Sequence, residues 1–152
     1  MDDPLSYAKG RATSDVRATI TWLEAHDFAL AQSRGGRDES FGNVLLHFER
    51  PDGLRIEVLR DRSQWTCVIS GGENPRSPLN VLITAMSPES EPMLVDRGFG
   101  DPLPEQLPEG ISWLTTVPAA IAWLLSGDRT AQIEDADQRW RAASRERLGY
   151  PE

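Results

Sequence analysis

Apolar residues recur along this chain at two different periods, and the switches between them mark out the elements. Residues 14–26 carry Val16, Ile20 and Leu23 at helical spacing, with Trp22 widening the stripe. Ser14 suits an N-cap and Asp15 suits the positive end of the helix dipole. Residues 28–33 then read as a short strand that ends at Gly35-Gly36. In residues 43–49 the period drops to two, with Val44, Leu46 and Phe48 on one face and Leu45, His47 and Glu49 on the other. Pro51-Asp52-Gly53 supplies turn chemistry, because Pro presets φ and Gly accepts a positive one. Leu54, Ile56 and Val58 alternate with Arg55 and Glu57, the pattern of an antiparallel strand with one wet face. After the polar turn at residues 60–63, residues 64–70 form a further strand with Trp65, Cys67 and Ile69 on one side.

Beyond this meander the signals change. Ser77-Pro78 looks like an N-cap and first-turn proline opening a helix over residues 79–86, although Val81, Ile83 and Thr84 leave a strand open there. Residues 87–110 contain five of the 11 prolines, six acids and one Arg, a composition that excludes a continuous helix or a central strand. They are read as a long irregular loop. Pro118 is placed in the first turn of a helix whose residues 119–125 are apolar on nearly every side, stopped by Ser126-Gly127. A last helix spans residues 128–148 with a narrow stripe of Ile133, Ala136, Trp140 and Ala143. Residues 1–13 show no periodicity and are read as a loose arm. The expected fold is one α+β domain over residues 1–152. It has a mainly antiparallel sheet of about four strands, flanked by an N-terminal helix and two C-terminal helices, the first and last helices covering one face.

Composition narrows the partners. Hydrophobic residues make up 39% of the 152 and charged residues 26%, values of a globular chain. Sixteen basic against 24 acidic residues leave a net charge of −8. Nucleic acid and anionic membranes need a basic footprint, so neither is expected as a partner. No apolar run approaches the roughly 20 residues of a membrane helix. The acidic start lacks an apolar stretch behind it, so no secretory signal is expected. Together with a single cysteine this points to the cytoplasm. Lys9 is the only Lys among the 16 basic residues, read as compositional bias.

Candidate chemistry is sparse. His26 and His47 have no carboxylate motif beside them, and the lone Cys67 excludes a cysteine-based zinc site, so neither metal nor cofactor is expected. Cys67 falls inside a strand beside Trp65 and Ile69, where a thiol usually serves as a small core hydrophobe. No Ser sits in a G-x-S-x-G turn, and Ser70-Gly71-Gly72 lacks the Lys and glycine spacing of a phosphate loop. No catalytic residue is assigned. The loop acids Glu89, Glu91, Asp96 and Asp101, with Glu105 and Glu109, surround Met93, Leu94, Val95, Phe99 and Leu103. Apolar anchors in an acidic rim have the make-up of a surface for a basic protein. They equally suit a solvated loop tacked onto the core. A second candidate surface is the turn carrying Arg60, Asp61 and Trp65. Trp22, Trp123 and Trp140 occupy helical core positions, whereas Trp65 and Trp113 lie at element ends where either packing or an exposed anchor fits.

Phe41-Gly42-Asn43, Leu54-Arg55-Ile56 and Arg60-Asp61-Arg62-Ser63-Gln64-Trp65 together resemble a pattern of small acidic bacterial immunity proteins from polymorphic toxin systems. The resemblance covers roughly the first half of the chain. It implies a leading helix, an antiparallel meander, trailing helices and a non-enzymatic role, neutralising a cognate toxin by direct binding. Such families share no common binding surface, so no functional residue is carried over. The alternatives are a small-ligand-binding or enzymatic α+β domain with a site assembled from distant residues, and a structural subunit of a larger assembly.

Overall fold

A computed structural model describes residues 3–36, 42–62, 64–87 and 112–148. Helix α1 (Pro4–Arg11) is followed by α2 (Ser14–Ala25). Five strands come next: β1 (Ala29–Gly35), β2 (Val44–Glu49), β3 (Arg55–Asp61), β4 (Gln64–Gly71) and β5 (Asn74–Pro78). Helices α3 (Leu79–Met86), α4 (Trp113–Leu125) and α5 (Thr130–Leu148) complete the order. The class is α+β, and the sheet is an antiparallel meander in the order β1-β2-β3-β4-β5.

The first departure from the sequence reading is α1, where a loose arm was expected. Asp3 accepts from the Ser6 backbone N–H at 2.7 Å, Pro4 opens the first turn, and Lys9 and Arg11 close the last. The stripe is too short to show as periodicity: of its eight residues only Ala8 is buried, against the sheet. Helix α2 follows the expected stripe, burying Val16, Thr19, Ile20 and Leu23, but its cap is Thr13 rather than Ser14. The Thr13 hydroxyl accepts from the Val16 N–H at 3.3 Å, which frees Asp15 for another task.

Pairing sets the faces of the sheet. Phe48 lies opposite Ile56, Ile56 opposite Ile69, and Ile69 opposite Ser77. Leu46, Val58 and Cys67 form the next row on the same face. These residues are fully or nearly fully buried beneath the helices, with Leu23, Leu79, Leu82, Val117, Ala120 and Ile133 facing them in one core. Trp22, Trp123 and Trp140 are half-buried against that core, whereas Trp65 and Trp113 are inside it.

The second departure is β5, a fifth strand where about four were expected. Its sequence, Asn-Pro-Arg-Ser-Pro, carries no strand propensity. An edge position makes it workable, because the prolines' missing N–H groups need no ladder partner on the outer side. Pro78 then ends the strand as the N-cap of α3, with no side-chain cap. Residues 79–86 are helical despite three β-branched side chains. Leu79, Asn80, Val81, Leu82, Thr84 and Ala85 are all buried, so tertiary packing outweighs a propensity difference of tenths of a kcal/mol. Helix α4 begins five residues before Pro118, which therefore sits inside the helix rather than in its first turn. The fully apolar character of 119–125 hid the start at Trp113. Beyond Ser87, the loop read at 87–110 lies outside the described residues.

Candidate functional site

Every described helix packs on the Phe48 face, and the opposite face of the meander carries a hollow of about 530 Å³. Strand alternation builds it. Arg34, Leu45, Leu59 and Thr66 lie in one row across β1 to β4, and His47, Glu57, Val68 and Pro78 in the next. Thr66 and Val68 are buried at its floor, Leu45 and Leu59 are half-buried, and Asp61 is exposed at one end.

An ion pair braces one side of this face. Arg76 on β5 donates from Nε to Glu57 Oε1 at 3.0 Å and from Nη2 to Oε2 at 2.8 Å, reaching over β4. This forked contact holds the Glu57 carboxyl below its ordinary range, against the opposing effect of its partial burial. Next to it, His47 Nε2 lies 3.1 Å from Glu49 Oε1.

At one end of the sheet two of the three separated words of the sequence motif meet. Arg60 Nη1 donates to the Gly42 carbonyl at 2.8 Å, and the Arg62 N–H donates to Asn43 Oδ1 at 2.9 Å. Arg62 holds φ 52, a left-handed turn conformation that this side-chain clasp stabilises. Gly42 holds φ 66 under the Tyr7 ring, and a Cβ there would strike the Tyr7 hydroxyl and Arg60. Arg60 pairs with Trp65, which is only 8% exposed. These residues thus tie the β1–β2 and β3–β4 connections and α1 into one knot.

Of the residues singled out from sequence, Asp61 lies on the face of the hollow, and Arg60 borders it from its strand while its side chain, in Trp65's row, turns to the Gly42 carbonyl. Trp65 is on the other face and buried, so it fills the core rather than offering an exposed anchor. Glu89, Glu91, Asp96, Phe99 and Asp101 lie outside the described residues. Arg34, Leu45, Leu59, Thr66, Val68 and Arg76 line the hollow and were missed. A signal existed: Leu45 and Leu59 are apolar residues at the polar parity of their strands.

Cys67 is fully buried, and burial, reinforced by the Glu57 charge, pushes its thiol far above its ordinary range. The native protein should therefore resist alkylation by iodoacetamide at neutral pH and react only on unfolding. Mass spectrometry of the quenched reaction checks this, and rapid labelling of folded protein would reverse the assignment. Among the described residues no group of three or more His, Cys, Asp or Glu side chains is placed to hold a metal ion. Among them, too, no helix is long and apolar enough to cross a membrane. Compared with known protein families, curated proteins and solved structures, the chain matches none.

Proposed function

We propose that this is a cytoplasmic, non-enzymatic binding protein, an immunity protein that neutralises a cognate bacterial toxin by holding it. The observation carrying this reading is the sheet face opposite the helices, whose hollow sets Val68 and the half-buried Leu45 and Leu59 beside Thr66, within a charged rim. Such a mix fits a protein-binding surface better than a solvated sheet face, which would alternate polar residues throughout.

Charge divides the work. The described residues hold 14 acids and 14 bases, so the whole net charge of −8 falls in the remaining segments, with Glu89, Glu91, Asp96 and Asp101 among its carriers. Net charge of one sign speeds encounter with a basic toxin domain and is screened by salt. Apolar contact at Leu45 and Leu59 then slows escape.

Binding kinetics against the toxin domain encoded beside this gene, at two salt concentrations, test the reading. Reversing Glu89, Glu91 and Asp96 to Arg should slow association about tenfold and flatten its salt dependence. Leu59→Asp should leave association intact and speed dissociation about tenfold or more. Unchanged rates in both variants would remove these surfaces, and no binding by the wild type would overturn the reading. A second reading, a small-ligand-binding domain, is favoured by the volume of the hollow, which falls within the usual range for such sites. A stabilising small molecule whose effect is lost in Leu59→Asp, without toxin binding, would select it.

A further inference from the structure

The two edges of the sheet are treated differently. At β5 the edge carries Pro75 and Pro78, which lack the N–H that a further strand would need, and α5 packs along it. At β1 the protection among the described residues is slighter: α1 packs against the strand, but no proline stands in it. Ala29, Leu30, Ala31 and Gln32 are exposed, and the strand bears no charge before Arg34. Of the devices that blunt an edge, charge, proline, cover and bulges, β1 has before Arg34 only the contact with α1 and the bulge between Leu30 and Gln32. Leu30 is 37% exposed and shares the core face with Phe48, its partner on β2.

The backbone of β1 has groups to offer. The Gly36 N–H donates to the Asn43 carbonyl at 2.9 Å. Antiparallel alternation then turns the amides of Arg34 and Gln32 toward β2 and those of Ser33 and Gly35 away from it.

We propose that a second copy of this chain pairs with β1 antiparallel through a two-fold axis between Ala31 and Gln32, joining the two meanders into one ten-stranded sheet. This register sets Leu30 opposite the second copy's Ser33. Both residues lie on the core face, since they pair with Phe48 and Leu46, so the faces match as antiparallel pairing requires. The same register sets Arg34 opposite the second copy's Ala29, both on the open face. Ala29 is small and its neighbour on β2 is Glu49, an exposed carboxylate that already faces His47 and Arg55 on its own sheet. Arg34 therefore lies over Ala29 toward the second copy's Glu49, and the two-fold axis repeats the pair. A two-fold axis normal to the sheet keeps all helices on one side and both hollows on the other.

Sedimentation equilibrium of the full chain up to millimolar concentration tests the proposal. The expected mass is twice the 16.9 kDa of the chain. Ser33→Pro removes an outward N–H that β2 does not use, so it should yield a monomer with an unchanged far-ultraviolet spectrum. Arg34→Glu should weaken the dimer about tenfold or more, by setting like charges together, and adding Glu49→Arg should restore it. Should Ser33→Pro fail to fold, the charge exchange alone decides, because rescue by the double change requires the two residues to meet. A monomer at every concentration would leave the edge to another protein's strand and overturn the proposal. So would a dimer indifferent to all three variants.

Discussion

Asp15→Ala is expected to lower the unfolding free energy by about 2–4 kcal/mol, from the loss of charge-assisted hydrogen bonds and of a helix cap together. Asp15 stands in the first turn of α2, yet its carboxylate serves α4. Oδ2 accepts from the Trp113 N–H at 2.6 Å. Oδ1 accepts from the Ser112 hydroxyl at 2.6 Å and from the Leu114 N–H at 3.3 Å. One anion thus sits where the positive ends of two helix dipoles converge. Removing it leaves half-buried donors at the start of α4 and unties two helices 97 residues apart in sequence. Ser112→Ala should cost far less, about 1 kcal/mol, because Asp15 would still bond the backbone. The double variant should lose less than the two single losses combined, because the hydrogen bond from the Ser112 hydroxyl to Asp15 is lost in each single variant and can be lost only once. Urea denaturation at neutral pH measures all three. A loss below about 0.5 kcal/mol for Asp15→Ala would mean that water replaces the carboxylate and that the cap is incidental.

That contact also marks the limit of what the sequence discloses. The period-two alternation in 43–70 was legible because each strand of the meander neighbours the next, so local pattern and tertiary face coincide. Asp15 was legible as a dipole partner of its own helix, which any acid in a first turn is. Its engagement of α4 depends on how α2 crosses that helix, which no local pattern encodes. Strand β5 escaped for a related reason. Asn-Pro-Arg-Ser-Pro becomes a strand only because β4 lies beside it, and because Asn74 is pinned there. The Asn74 side chain accepts from the Arg129 N–H at 2.6 Å and donates to the Leu124 carbonyl at 3.2 Å, both contacts made more than 45 residues away. The hollow was half legible. Leu45 and Leu59 break the polar parity of their strands, but Arg34 and Arg76 join the same face only once five strands are laid in order.

The largest loss should come from the centre of the sheet. Ile56 lies midway along the five strands, fully buried, between Phe48 on β2 and Ile69 on β4. Ile56→Ala should cost about 2–5 kcal/mol, the lost transfer energy plus a cavity term that depends on how far the surroundings relax. Relaxation is restricted here. Both flanking strands are locked by ladder hydrogen bonds, and the helix layer above is tied by Asp15 at one end and Asn74 at the other. The upper half of that range is therefore expected, a large fraction of the roughly 5–15 kcal/mol that stabilises an ordinary domain. Arg55→Ala, one residue away on the opposite face and exposed, should stay within about 0.5 kcal/mol. Because Ile56 points away from the hollow, Ile56→Ala should leave affinity at Leu45 and Leu59 unchanged per folded molecule, while Leu59→Asp does the reverse. Denaturation midpoints measured beside dissociation rates separate the two faces. A loss under about 1 kcal/mol for Ile56→Ala, or a change in dissociation rate equal to that of Leu59→Asp, would show that the two faces do not divide stability from binding in this way.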